Sequence, residues 1–328
     1  ERFFGLTNEE GNHGEDVKEL YYYLDATPTH SYMKMLYKYP LQPFPYTWLL
    51  EENKKRSRKE TEFELMDTGI FNDDQYVDIF TEYAKADTDD ILIQISIYNR
   101  SNTTARLQVI PTVWFRNTWA WGRHDYKPSL WQADEHCIQI EHKSVAVKYL
   151  YFEQGNALFC ENETNNQRLY NSSNSTPYPK DGINDYIVNG SASINPAKEG
   201  TKAAIQNICE LASGNPRVLR LRLSSRKLKS PFSDFDSCFA NRKNDADEFY
   251  KALQQSIKTD EEKLIQRQAF AGMLWNKQFY HYDVQEWLEG DPATPPPPPQ
   301  RKEGRNADCI HLNNADIIPV PYKWECPW

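Results

Sequence analysis

The residues of this chain best equipped for chemistry gather near its end. From Asn306 to Trp328 it reads Asn-Ala-Asp-Cys-Ile-His-Leu-Asn-Asn-Ala-Asp-Ile-Ile-Pro-Val-Pro-Tyr-Lys-Trp-Glu-Cys-Pro-Trp. Asn313, Asn314 and Asp316 supply amides and a carboxylate, and Trp324, Glu325 and Trp328 follow shortly after. Such a set suits a sugar. Amides and carboxylates bond paired hydroxyls, and an indole face stacks on the apolar C–H side of a pyranose. These six residues are therefore the expected substrate ligands. Composition alone favours a plainer arrangement, a loop anchored in the core by its tryptophans. The stop on Pro-Trp, with no polar tail, reads as a cut inside a domain.

Other chemistry-bearing groups are scattered. The acidic stretch Glu9-Glu10-Gly11-Asn12-His13-Gly14-Glu15-Asp16 could in principle hold calcium, but it lacks EF-hand spacing and reads as a surface turn. Six cysteines occur without a C-x-x-C pair, so no zinc site is expected; reduced thiols in a reducing compartment fit better. No metal is assigned. There is no G-x-G-x-x-G or G-x-x-x-x-G-K, so no nucleotide or organic cofactor is expected. Trp114, Trp119 and Trp121, with Arg116 and His124, form a second aromatic cluster, read as sandwich core or domain interface ahead of a separate sugar platform.

The composition narrows the partners. Net charge is −9 over 328 residues, with no basic face to meet phosphates, so nucleic acid is excluded. The basic run at 54–59 is flanked by glutamates and reads as a solvated surface segment. No run of about 18 apolar residues exists, so no membrane partner is expected. Glu1 is not an initiator and Glu1-Arg2-Phe3-Phe4 is no signal peptide. The N-terminus too reads as cut, and a cytoplasmic location is expected from the cysteines. Asn99, Asn102, Asn162, Asn171, Asn174 and Asn189 stand in N-x-S/T sequons, which an Asn- and Ser-rich chain produces by chance.

The elements that must position these groups follow from periodicity. Tyr21-Tyr22-Tyr23 predicts a strand and Thr27–His30 a turn. From about 61 to 240 the pattern is β. In 91–98, Ile91, Ile93, Ile95 and Ile97 share one face, and Asn99–Asn102 turns into a strand over 107–115. Strands are also predicted at 146–152 and 218–223, the latter facing core on one side and partly solvent on the other. Residues 162–176 read as a long loop. Strands without intervening helices predict an antiparallel sandwich. Near 244 the period becomes helical, with Asn244 as expected N-cap and Thr259/Glu262 as a capping box. The helix through Ile265, Ala269, Gly272, Met273 and Tyr280 is apolar nearly all round between 269 and 275, which predicts burial. Pro295–Pro299 reads as a stiff spacer.

Several of these stretches resemble a known group. Arg267-Gln268-Ala269-Phe270-Ala271-Gly272-Met273-Leu274-Trp275, Lys277-Gln278-Phe279-Tyr280, Leu312-Asn313-Asn314-Ala315-Asp316 and Lys323-Trp324-Glu325 look like the family-63-type glycoside hydrolases, relatives of the mannosyl-oligosaccharide glucosidase. So do Phe4-Gly5-Leu6-Thr7-Asn8, the run 11–19, and Thr27-Pro28-Thr29-His30-Ser31-Tyr32-Met33-Lys34. The resemblance covers nearly the whole chain. It implies an antiparallel β super-sandwich followed by the opening helices of an (α/α)6 barrel, a six-hairpin glycosidase. Residues 1–240 would be the sandwich, incomplete at its N-terminus, and 241–328 the start of the catalytic barrel with its Pro-rich loop.

The resemblance further implies inverting hydrolysis of α-linked glucosyl-type oligosaccharides. One carboxylic acid protonates the leaving oxygen and one carboxylate activates water, the two roughly 6.5–9.5 Å apart. In the family the general acid follows a Trp-Glu-x-Pro-Trp segment of this kind, and the base lies much later. Both catalytic residues are therefore expected beyond Trp328, and these residues alone are expected to be inactive, lacking the rest of the barrel as partner. Cys326 stands where the family has an aromatic residue. Glu325, Asp316 and Asp283 read as loop-fixing acceptors or sugar ligands ahead of acid and base. The alternative is a non-catalytic carbohydrate-binding or assembly module from a split gene.

Overall fold

The structure, a computed structural model, describes residues 20–57, 59–122, 124–304 and 307–319. The acidic stretch at 9–16 and three expected sugar ligands, Trp324, Glu325 and Trp328, lie outside the described residues.

The tyrosine-rich start forms a hairpin of β1 (Leu20–Ala26) and β2 (Tyr32–Pro40). Its turn is the expected one, with the His30 N–H donating to the Thr27 carbonyl at 2.9 Å. A helix α1 (Tyr46–Lys55) carries part of the basic run, where Lys55 and Arg56 pair with Glu52 on the surface. Then come β3 (Tyr76–Asp87), β4 (Asp90–Asn99), β5 (Ala105–Val109), β6 (Thr112–Trp114), β7 (Ser129–Asp134), β8 (Cys137–His142), β9 (Val145–Phe152) and β10 (Asn156–Cys160). Short helices α2 (Asn166–Tyr170) and α3 (Gly182–Asn189) precede β11 (Glu199–Gly200), β12 (Lys202–Leu211) and β13 (Arg217–Ser224). The rest is α4 (Phe235–Leu253), α5 (Asp260–Trp275), β14 (Lys277–Asp283), α6 (Val284–Glu289) and β15 (Asn313–Pro319).

Among the described residues, nine strands form one sheet in the order β1-β2-β3-β4-β13-β9-β8-β7-β11. A second sheet runs β10-β12-β5, with β6 also on β12, and every pairing in both is antiparallel. The two sheets close on one core. The large sheet contributes Ile95, Ile97, Leu150, Phe152, Leu219 and Leu221, and the small one Phe159, Ala203, Ile205, Cys209 and Leu211. Alternation within strands explains this layering, because every second side chain points inward. Of the four isoleucines expected on one face, Ile93, Ile95 and Ile97 pack into this core, while Ile91 at the start of the strand is half-buried outside it. Their outward neighbour Leu92 is buried as well, under α4, among Tyr32, Ala84, Phe235, Phe239 and Ala246. The small sheet's outer face is covered in the same manner, with Ile183 of α3 against Leu158, Cys160 and Ala204.

Three local expectations need correction. The arginine face of β13 is partly solvated at Arg220, as expected, but not at Arg222, which is 3% exposed and sits between the sheet and the chain entering α4. Its charge is met by Asp90 at 2.7 and 2.8 Å and by Asp234 at 2.6 Å. The first helix begins at Phe235, so Asn244 lies inside it; the aromatic residues that nucleate packing on Leu92 precede the apolar period that was legible further on. The second helix has its capping box at Thr259 and Glu262, but it stops at Trp275 because the chain then pairs as β14 with β15. Nor is it buried all round. Ala271 is its buried residue, while Ile265 and Met273 are more than half exposed, since only one edge of the helix meets β1. The described residues thus hold an antiparallel sandwich and a two-helix hairpin, and not a barrel.

Candidate functional site

A cleft of about 450 Å³ opens where the sandwich meets the segment after α5. Arg116 and Trp121 line it from the β6–β7 connection, Tyr170 from the end of α2, and Tyr282, Asp283, Glu286, Trp287, Asp291 and Arg301 from the segment between 281 and 301. Its size is that of a small-ligand site, and its lining sets aromatic rings among a larger number of charged and polar groups.

Each wall has a local cause. Gly122 ends the Trp119–Trp121 turn at φ 65°, a left-handed residue that closes the 3-10 turn and presents Trp121. Glu163, 9% exposed, fixes that turn from behind by accepting from the Trp119 indole N–H at 2.8 Å, from Lys127 at 2.8 Å, and from Ser175. Burial pushes the Glu163 carboxyl up, but hydrogen bonds from Lys127, Ser175 and Trp119 outweigh it and hold it below the usual carboxylate range. The long loop at 162–176 is thus ordered around a buried anion.

The opposite wall grows from the β14–β15 hairpin. Asp283 ends β14 and caps α6, its Oδ1 accepting from the Glu286 N–H at 3.0 Å. Its Oδ2 accepts from Asn313 across the hairpin at 2.8 Å. Gly290 leaves α6 at φ 86°, and a Cβ there would meet Pro297 at 2.6 Å. Only glycine lets the proline run turn back against the helix end, so residues 295–299 serve as a buttress where a spacer was expected. The 3-10 turn Pro299–Lys302 then sets Arg301 over the Trp287 ring, 5.0 Å from its centroid, with a bond to the Trp287 carbonyl at 2.9 Å. Arg116 spans the walls, 3.1 Å from His281 Nδ1 and facing the Trp121 and Phe279 rings. Because a guanidinium can only donate, His281 Nδ1 is the acceptor, which fixes its tautomer.

Of the expected ligands, Asn313 reaches the cleft through Asp283. Asn314 and Asp316 stand opposite Tyr282 and Tyr280 in the hairpin and do not line it. The aromatic cluster at 114–124 is divided: Trp121 and Arg116 face the cleft, Trp119 is held by Glu163, and Trp114 is exposed on β6. Sequence reasoning had reached Asp283, but not Glu286, Trp287, Asp291 or Arg301. For Glu286 the available signal is the Asp283/Glu286 spacing of a helix cap; Trp287, Asp291 and Arg301 have none. Among the described residues no group of three or more metal-ligating side chains gathers. No helix there is long and apolar enough to cross a membrane.

No family model matches the chain. An uncharacterized protein of Saccharomyces cerevisiae is 37% identical over 378 aligned positions, which take in all of this chain and 35% of that protein. The chain therefore spans about a third of the length of the curated relative it matches. A solved structure described as a kojibiose phosphorylase from the human microbiome aligns with a TM-score of 0.26 and 7% identity, over 64% of this chain and 23% of that one. A likeness at that level carries no argument.

Proposed function

We propose that these residues supply an oligosaccharide-binding cleft to a glycoside hydrolase of the family-63 type acting on α-linked glucosyl substrates. The observation that carries the reading is the cleft itself, which sets Trp121, Tyr170, Tyr282 and Trp287 around carboxylates and guanidinium groups. Aromatic faces take the apolar side of a pyranose and the charged groups take its hydroxyls. The sequence resemblance adds the substrate class and the inverting course. Asn313 acts indirectly, by orienting Asp283.

The cleft carboxylates are positioned for binding ahead of proton transfer. Asp283 already caps a helix and accepts from Asn313, and Asp291 accepts from the Ala293 N–H at 2.8 Å. That engagement also favours the second reading, a binding module without chemistry of its own.

The test is titration of the chain with α-linked gluco-oligosaccharides, alongside Trp287→Ala and Trp121→Ala. Saturable binding, weakened about tenfold by either change, is expected from the loss of one stacking face. Absence of saturable binding, or variants that bind as the parent does, would sink the cleft. Anomer-resolved NMR on the complete protein then separates the two readings: inverted product supports the hydrolase, and binding without turnover supports the module.

A further inference from the structure

A second pocket lies on the far side of the large sheet, between β1, β2, α4 and α5. It measures about 350 Å³ and is lined by Leu24, Asp25, Tyr32, Lys34, Lys243, Asp247, Leu264, Arg267 and Gln268. Three features mark it as built. First, the β1–β2 register shifts between Tyr23 and Asp25, and such a bulge re-aims a side chain. Second, Asp25 is 8% exposed, yet no hydrogen bond of normal geometry reaches its Oδ1 among the described residues; the neighbouring Ala26 N–H acts on the carboxylate only as a minor influence. A buried carboxylate oxygen without a donor is costly and calls for an occupant. Third, the charges are segregated. At one end Asp25 and Asp247 share a single cation, Arg267, at 2.7 and 2.6 Å. At the other, two cations, Lys34 and Lys243, stand near a single anion, Glu82, which pairs with Lys243 at 2.8 Å and also accepts from Tyr32 at 2.6 Å. Lys34 makes no ion pair among the described residues; its ammonium rests 5.1 Å from the Phe80 ring centroid.

One end of the pocket thus carries a surplus negative charge and the other a surplus positive charge, with leucines on its wall. A ligand that complements both ends bears a cation and an anion on one small skeleton. A plain anion would leave Asp25 unmet, and a plain cation would leave Lys34 unmet. We propose that this pocket binds a small zwitterion of the α-amino-acid class, its ammonium donating to Asp25 Oδ1, its carboxylate on Lys34, and an aliphatic side chain against Leu24 and Leu264. The site is separate from the oligosaccharide cleft and stands or falls without it.

The experiment is calorimetric titration of the 328-residue chain with L-leucine, with 4-methylpentanoate, which lacks the amine, and with 3-methylbutylamine, which lacks the carboxylate. Leucine should bind saturably. Removal of either charge, or the change Lys34→Met at the pocket mouth, should weaken binding about tenfold or more, as for loss of a charge-assisted hydrogen bond. Asp25→Asn should do the same, and Lys34→Met decides the matter if that buried variant does not fold. No saturable heat up to about 10 mM leucine, a range far above useful affinity, overturns the proposal. So does equal binding of either analogue, or unchanged binding in Lys34→Met.

Discussion

Asp90 and Asp25 each meet an arginine where the large sheet joins the helical hairpin, and the two carboxylates fare differently. Asp90 accepts from Nε and Nη2 of Arg222, whose Nη1 serves Asp234, and takes a further bond from a second arginine, Arg226, at 2.9 Å, so both its oxygens have donors. Burial pushes its carboxyl up, but the hydrogen bonds and charges of Arg222 and Arg226 outweigh it, and it is held below the ordinary range. Asp25 shares its guanidinium with Asp247. Burial again pushes the carboxyl up, and here Arg267 returns less than burial takes, so Asp25 stays above the ordinary range. Arg267 itself moves up: burial lowers it, but its bonds to Asp25 and Asp247 outweigh that. The pairing therefore favours the arginine while the aspartate remains under-served. A saturated pair holds a fold together, whereas an unsaturated one is available to a ligand.

The comparison breaks most visibly when the arginines are removed. Arg222→Met should cost about 3–5 kcal/mol, because it strands Asp90 in the interior. Arg267→Met should cost less, about 1–3 kcal/mol, since Asp25 can be neutralised by a proton. Urea melts of the two variants measure this, and equal losses would mean that the pairs are equivalent.

Next come the carboxylates themselves. Asp90→Asn should destabilise by about 2–4 kcal/mol, and Asp25→Asn by less than about 1 kcal/mol near neutral pH, because the amide relieves a charge that burial disfavours. A large loss for Asp25→Asn in the absence of ligand would show that its oxygen is satisfied after all.

The pH dependence sharpens the contrast through its sign. Asp90 has a depressed folded value, so its stabilisation is present above the unfolded carboxylate value and lost as pH falls through the folded one. Asp25 has a raised folded value, so the folded state holds its proton longer, and stability declines as pH rises from the unfolded value through the folded one. Stability measured from pH 3 to 7, a window set by the usual carboxylate range, should lose its acid-side decline in Asp90→Asn. The same scan in Asp25→Asn should lose an opposing slope at somewhat higher pH. Parallel curves would refute the contrast.

A small and local effect belongs to the cap of α5. Thr259→Ala removes the acceptor of the Glu262 N–H at 3.2 Å and should cost about 1 kcal/mol, leaving the Asp90 region untouched. Thermal melts would detect it as a shift of a few degrees.

Much of the sandwich could be read from the sequence because alternation is a local signal. Ile93, Ile95 and Ile97 announce a face, and the face is there. What covers the other face could not be read, because Leu92 and Phe235 are brought together by tertiary packing alone. The same limit applies to Arg222: charged residues on a strand look solvated until the helix that buries them is placed. In the candidate cleft, Asp283 could be found beside its helix. Trp287 and Arg301 meet through the return of a proline run over Gly290, a geometry that no spacing rule announces. The barrel opening expected over 241–328 rests on the resemblance alone, and the described part of that stretch forms a helical hairpin followed by a two-stranded sheet.

The placement of β13 between β4 and β9 has a consequence for the chain as it emerges from the ribosome. Ile97 pairs with Arg217, so β4 waits for about 120 residues of synthesis, on the order of ten seconds, before its second edge is covered. During that interval an isoleucine-rich strand, already held on one side by β3, presents an open row of backbone donors and acceptors to any neighbour. Crowded nascent chains would meet edge to edge there, so the yield of this protein should depend more on translation rate and chaperone supply than its finished core suggests.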